Sequence, residues 1–345
     1  PDLPPEALEY YRRGRSVYTS SMQGGPGTRD KLALSRVYLE KALALVPGNA
    51  HVLVALSDVI HLMGIRGFAE FAASDRRARD LRLEALARDD KFGELHTSLG
   101  VTFLYWDDEF DIAGTELALG VRFSPDHAEG RRHYGAWLKI AGRPEEALAE
   151  MQASVELAPD APFMHVGLAD VLMSLGRYDE AVAPLREALR LAPRYAAALE
   201  RLEMSCHRAG RHEEALDARR VLLGVGDQTD RLRALDQTAT REGWLAARDQ
   251  DLRRELTGLL AEAEQADPFI DRQGSRQLVD QLIIVLAELG EWTRAMDWVE
   301  RAYYRRPGRL RRLLRDLPYD SRGLASDPRY TRLLRTAGLP DLLTS

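Results

Sequence analysis

Leu157-Ala158-Pro159 and Leu191-Ala192-Pro193 stand 34 residues apart, and the residues around them repeat with the same offset. Shifted by 34, Gly135 falls on Ala169, Leu138 on Leu172, Gly142 on Gly176, Ala147 on Ala181 and Met151 on Leu185. A repeat of this length holds two antiparallel helices: small residues let them touch, and large apolar ones fill the space around the contact. The prolines close each unit, because a proline disfavours helix in the residue before it.

The pattern extends to both sides. A first hairpin is predicted from Glu6–Ser20 and Lys31–Leu45, joined by Gln23-Gly24-Gly25-Pro26-Gly27. The second starts at His51, passes Met63-Gly64, and carries an insertion over Ile65–Ser74 before a helix ending near Ala85-Leu86-Ala87. The third starts near Glu94 and closes at Phe123-Ser124-Pro125; there the template slips by one residue, which a longer turn at Tyr105–Phe110 would absorb. The fourth and fifth are the regular pair, and a sixth runs from Ala196 through Cys206 and Gly210 to Leu222. Beyond Gly226 the period fades, but helical spacing continues into a long helix over Gly243–Gln265 and a further hairpin over 274–305. An Arg-rich helix (Arg309–Leu317) and a short one at Pro328–Thr336 end the chain.

A period of 34 with this pairing of small and apolar residues is the signature of the tetratricopeptide repeat. The predicted fold is all-α, a right-handed tetratricopeptide superhelix with an irregular helical C-terminal cap. Residues 1–226 would form a solenoid of about six hairpins, and residues 227–345 a helical region with the 274–305 hairpin and basic capping helices.

Three further stretches narrow the resemblance. Tyr11-Arg12-Arg13-Gly14-Arg15 opens the chain, and Leu289-Gly290-Glu291-Trp292-Thr293-Arg294-Ala295 with Trp298–Tyr303 marks the last hairpin. Ser326-Asp327-Pro328-Arg329-Tyr330 followed by Leu333-Leu334 marks the end. Together they resemble the tetratricopeptide regions that follow the effector domain in bacterial winged-helix transcription regulators, Ser/Thr kinases and class III adenylate cyclases. The resemblance implies a partner- or ligand-sensing region of a signalling or transcription-control protein. Two departures stand beside it: no effector part is present, and Tyr319–Leu324 matches the usual approach to the ending only loosely. A free-standing scaffold or accessory subunit that docks on a larger complex, at a membrane or away from one, is the alternative; membrane contact would be indirect or through a removed N-terminal anchor.

Composition sets further bounds. The net charge of −6 argues against general nucleic-acid binding, which needs a positive field. Charge is uneven, however: residues 301–345 hold 11 Arg against four Asp, or +7, leaving −13 for residues 1–300. Cys206 is the single cysteine, so no intrachain disulfide can form. The longest purely apolar run, Leu282–Ala287, falls far short of the roughly 20 residues of a membrane span. The chain begins at Pro1 without methionine, from which a removed leader or upstream domain is expected. The compartment stays open, cytoplasmic by default and periplasmic if a leader or anchor preceded Pro1.

The surface expected to bind is the concave face built by the first helix of each hairpin. On it the spacing places His51, Asp58, Thr97, Tyr105, Arg132, Lys139, Phe163, Val166, Asp170, Met173 and Arg208. The face lacks the Asn and paired Lys with which a chaperone-tail clamp holds carboxylates. Its mixture of apolar and charged groups suits a partner helix or extended segment in the groove, unless Phe163, Met173 and Leu104 merely contact the adjacent repeat. Arg305, Arg306, Arg309, Arg311, Arg312 and Arg315 form a basic patch interleaved with Leu310, Leu313 and Leu314. It reads either as a contact for an acidic protein or as a capping helix whose arginines reach to solvent. No catalytic, metal or cofactor motif emerges: the eight histidines show no HExxH spacing, and Asp107-Asp108-Glu109 with Asp111 lacks the glycine and spaced oxygens of a calcium loop. Cys206 occupies a helix-packing slot, where a free thiol acts as a small apolar residue.

Overall fold

The computed structural model describes residues 2–22, 27–107, 109–265, 273–305, 324 and 326–336. Among these there is helix and no strand. The helices are α1 (Pro5–Ser21), α2 (Thr28–Leu45), α3 (Ala50–Ile65), α4 (Phe71–Leu86), α5 (Gly93–Thr102) and α6 (Phe110–Phe123), then α7 (Ala128–Ile140), α8 (Pro144–Leu157), α9 (Pro162–Ser174), α10 (Tyr178–Leu191), α11 (Ala196–Arg208) and α12 (His212–Val225). The series ends with α13 (Thr229–Glu242), α14 (Trp244–Gln265), α15 (Gln273–Glu288), α16 (Trp292–Arg305) and α17 (Pro328–Thr336). No described helix is long and apolar enough to cross a membrane. The chain divides into two compact units, residues 1–137 with 153–159, and residues 138–152 with 160–345.

In the first unit α1 pairs with α2, α3 with α4 and α5 with α6. The hairpins close tightly because glycines sit where helices cross. A Cβ on Gly14 would meet Leu39 Cγ at 2.7 Å, and one on Gly100 would meet Leu117 Cγ at 2.6 Å. Leu32, Leu39, Leu53, Leu56, Leu81 and Leu95 fill the core between them, each at most 2% exposed. Burying a leucine so fully contributes about 1.5–3 kcal/mol.

Two sequence expectations change here. The ten-residue insertion at Ile65–Ser74 shrinks to a short loop: α3 runs through Ile65, and α4 starts at Phe71. Glu70 makes that early start possible, since its carboxylate accepts the free N–H groups of Ala72 and Ala73 at 2.9 and 2.5 Å. The slip near Tyr105 is taken up inside the helix rather than by a longer turn. Residues Phe103–Asp107 continue α5 as a π-helical turn, which holds one residue more than an α turn.

In the second unit one turn recurs. Gly142, Gly176, Gly210 and Gly290 adopt φ of 79°, 71°, 75° and 71°. The residue after each sends its N–H back to the carbonyl five before it: Arg143 to Leu138, Arg177 to Leu172, Arg211 to Cys206 and Glu291 to Leu286, at 2.8–2.9 Å. This closure satisfies a carbonyl orphaned at the helix end, and its left-handed residue favours glycine. Arg143, Arg177 and Arg211 then pair with Glu146, Glu180 and Glu214, three residues on. These pairs are exposed and contribute little to stability, but they mark the repeat register.

Between Gly226 and the last hairpin, where the period fades, α13 and α14 form a further hairpin joined at Gly243, whose φ is 86°. α14 buries Trp244, Ala247, Arg248, Asp251, Leu252 and Leu256, a stripe at three- and four-residue spacing. The helix at Pro328–Thr336 forms as the sequence predicts and packs Tyr330, Leu333 and Leu334 into the core of α15 and α16. The Arg-rich segment Arg309–Leu317 lies outside the described residues.

Candidate functional site

First-unit helices α1, α3, α5 and α7 surround a polar pocket enclosing about 380 Å³ of empty space, part of it open solvent. α1 contributes Arg15 and Tyr18, α3 contributes Asp58, and α5 contributes Glu94, Thr97, Ser98 and Val101. His127 precedes α7, which supplies Glu129 and His133. Glu94, Thr97, Ser98 and Val101 share one side of α5 because they recur at three- and four-residue spacing.

A buried relay fixes Asp58. Arg82, 2% exposed, donates from Nε to Ser98 Oγ at 2.8 Å, and that hydroxyl donates onward to Asp58 Oδ1 at 2.5 Å. Burial raises the Asp58 carboxyl above its usual range, against the opposing pull of Arg82 and Ser98. Across the pocket, the Arg15 guanidinium lies 3.7 Å from Glu129. Burial alone would raise the Glu129 carboxyl, but the charges of Arg15, His127 and Arg132 outweigh it and hold it low.

His133 is neutral by the same logic. Arg132 Nη2 donates to His133 Nε2 at 2.7 Å, and a guanidinium can only donate. The single ring proton of His133 therefore sits on Nδ1, which is buried without a partner among the described residues. Burial first, then Arg132 and His127, holds His133 far below the ordinary histidine value. Both ring nitrogens of His127 and the hydroxyl of Thr97 are likewise buried and unpartnered among the described residues.

The predicted binding residues scatter over several environments. Asp58 and Thr97 meet in the pocket; Arg132 touches it through His133, and the Tyr105 ring lies edge-on to the same imidazole at 6.1 Å. His51 stands apart, packed on the Phe92 ring at 4.3 Å. In the second unit Lys139 is half-buried in the last turn of α7. Phe163 and Val166 are 9% and 6% exposed, and Met173 packs half-buried beside Val166, Ala169 and Leu172. Asp170 accepts from Arg201 Nε at 2.5 Å, and Arg208 pairs with Glu288 at 2.9 Å. The side chain of Arg305, and all of Arg306, Arg309, Arg311, Arg312 and Arg315, lie outside the described residues. Cys206 is fully buried, and burial pushes its thiol up.

Arg15, Tyr18, Ser98, His127 and His133 escaped the sequence reading. Ser98 and His133 each stand one residue past a face position, Thr97 and Arg132, so the repeat spacing does not select them. A second buried network in the second unit did leave a signal. Counting 34 on from Ala169 reaches Glu203, and from Leu185 reaches Arg219, so two core positions of the fifth hairpin become charged in the sixth. Arg248 of α14 answers the first, donating to Glu203 at 2.8 Å and also to Glu288. Asp251 answers the second, accepting from Arg219 and from Arg231, while Glu255 accepts from both arginines at 2.9 Å.

Residues 138–203 match the family model described as a tetratricopeptide repeat. No curated protein sequence matches the chain. Several solved structures are similar. PilW, described as a widely conserved type IV pilus biogenesis factor, is 14% identical over 61% of this chain and 92% of its own, with a TM-score of 0.45. A thermophilic tetratricopeptide protein of Thermus thermophilus, TTC0263, is 20% identical over 58% and 99%, with a TM-score of 0.43. Pseudomonas aeruginosa pilF is 20% identical over 64% and 93%, with a TM-score of 0.42. The family match and the glycine-closed helix pairs agree: over residues 138–203 the chain consists of tetratricopeptide repeats.

Proposed function

We propose that the chain is a non-enzymatic protein-binding module whose contact surface is the first-helix face of its N-terminal unit. The pocket among α1, α3, α5 and α7 carries this reading, because Thr97 Oγ1, both ring nitrogens of His127 and Nδ1 of His133 lack partners there among the described residues. Preformed helices present such a surface with little ordering cost, so affinity would come from shape and a few anchors. Asp58, Thr97, Tyr105 and Arg132 are the contacts proposed there, and His51 is proposed as a contact apart from the pocket. Lys139, Phe163, Val166, Asp170, Met173 and Arg208 are proposed for the second unit, where Phe163 and Val166 offer little surface.

The cellular setting proposed is partner sensing in bacterial signalling or transcription control. Support comes from the family-like ending Ser326–Leu334, whose helix α17 packs on α16. The test is affinity capture by the tagged chain from a lysate of its own organism, repeated with Val101→Trp to fill the pocket. Recovery of a regulator or kinase, lost with the filled pocket, is the expected result. A stoichiometric set of subunits from one complex would instead make this a scaffold. Equal capture by both proteins would refute the pocket as the contact.

A further inference from the structure

The pocket of the first unit holds one carboxylate, that of Glu94, without an ion pair among the described residues. Three carboxylates line it (Asp58, Glu94 and Glu129) against one guanidinium, that of Arg15. Asp58 faces Arg82, and Glu129 faces Arg15, each pair at 3.7 Å. Glu94, in the first turn of α5, has neither an ion pair nor a hydrogen bond among the described residues. One turn further along the same helix, Thr97 is 5% exposed and its hydroxyl is unpartnered among the described residues. Burial first, then the charge of Glu94, pushes the nearby Tyr11 phenol up to about 12.

We propose that this pocket receives a cationic side chain, the ammonium of a lysine or the guanidinium of an arginine, presented by a partner polypeptide lying across the first helices of the unit. The proposal rests on the reading that this face binds protein, and it specifies the chemistry of the anchor. Glu94 supplies the charge, Asp58 supplies the oxygen not held by Ser98, and Thr97 supplies a further acceptor. Val101 and Tyr18 give the apolar wall along which the methylene stem of such a side chain lies. An anionic group is disfavoured, because it would face the Glu94 carboxylate, which no cation pairs with among the described residues.

The experiment selects peptides from a displayed random library on the full-length chain, then measures the affinity of one recovered peptide for variants. The expected peptides share a Lys or Arg. Replacing that residue by Gln, or Glu94 by Gln, should each cost roughly ten- to a hundredfold in affinity. The two changes together should cost little more than either alone, since each removes the same contact. Glu94→Lys should shift selection toward acidic peptides. Thr97→Val should weaken binding severalfold without lowering the melting temperature, because it removes a hydroxyl that is unsatisfied in the free protein. Recovered peptides without a common basic residue, or full affinity in Glu94→Gln, would overturn the proposal while leaving the face a protein-binding one. Recovery of no peptide would overturn both.

Discussion

Replacing Asp251 by Asn removes a negative charge that two arginines share inside the second unit. Asp251 is 1% exposed and accepts from Arg219 at 2.9 and 2.6 Å and from Arg231 at 2.9 Å through both nitrogens. Asn keeps the shape but turns an N–H₂ toward guanidinium donors, leaving Glu255 as the carboxylate that bonds both cations. Breaking a buried pair in this way costs about 3–5 kcal/mol. At about 1.4 kcal/mol per factor of ten, amide protection in α12–α14 should fall roughly a hundred- to a few thousandfold. Hydrogen exchange read by mass spectrometry measures this, with α1–α6 as the internal control. The effect should also depend on pH. Burial alone would raise the Asp251 carboxyl, but the hydrogen bonds and charges of Arg231 and Arg219 hold it below 3.8. Its stabilisation is therefore complete above the unfolded value and lost as pH falls through the lower, folded one. The gap between wild type and Asp251→Asn should stay constant at neutral pH and close in strong acid. A cost below about 1 kcal/mol, the range of exposed pairs, or a gap that persists in strong acid, would refute the buried-network argument.

Gly100→Ala should destabilise the α5–α6 hairpin by about 1–3 kcal/mol, read from urea unfolding, because its Cβ would meet buried Leu117 Cγ at 2.6 Å. His61, pulled down to about 4 by burial and then by Arg82, binds no proton in the folded protein at neutral pH. The unfolded chain takes up that proton below about 6.5, so stability should fall as pH drops from there toward 4. His61→Gln should make that limb shallower by one histidine's share, His133 and His207 still contributing, and an NMR titration midpoint near 6.5 for His61 would contradict the assignment. Tyr330→Ala, at a side chain 1% exposed, should cost about 3–5 kcal/mol locally and raise exchange across α17 first.

The helices, their partners and most of their ends were legible in the sequence because the repeat fixes them locally. Gly142, Gly176 and Gly210 recur at one spacing, and each stops a helix by the same left-handed closure. The π turn at Phe103–Asp107 was visible only as a slip in register, since an extra residue in sequence does not say whether helix or loop absorbs it. The α4 start was missed because Glu70 is not a usual capping residue, yet its carboxylate caps two amides.

The sequence by itself determined that the chain is helical, paired and repetitive, because spacing and glycine placement act within one or two turns. It also exposed two charges at Glu203 and Arg219, where the preceding repeat is apolar. Only the tertiary structure decided what those charges meet: Arg248 and Asp251 lie 45 and 32 residues away, on a helix that the period no longer describes. The same holds for the pocket. Arg15, Asp58, Glu94 and Glu129 belong to four hairpins, and the repeat spacing that assigns a residue such as Asp58 to the first-helix face does not say how closely the four charges approach. Their shared field arises from packing, since the Coulomb energy of charges depends on their separation in space and on the water excluded between them.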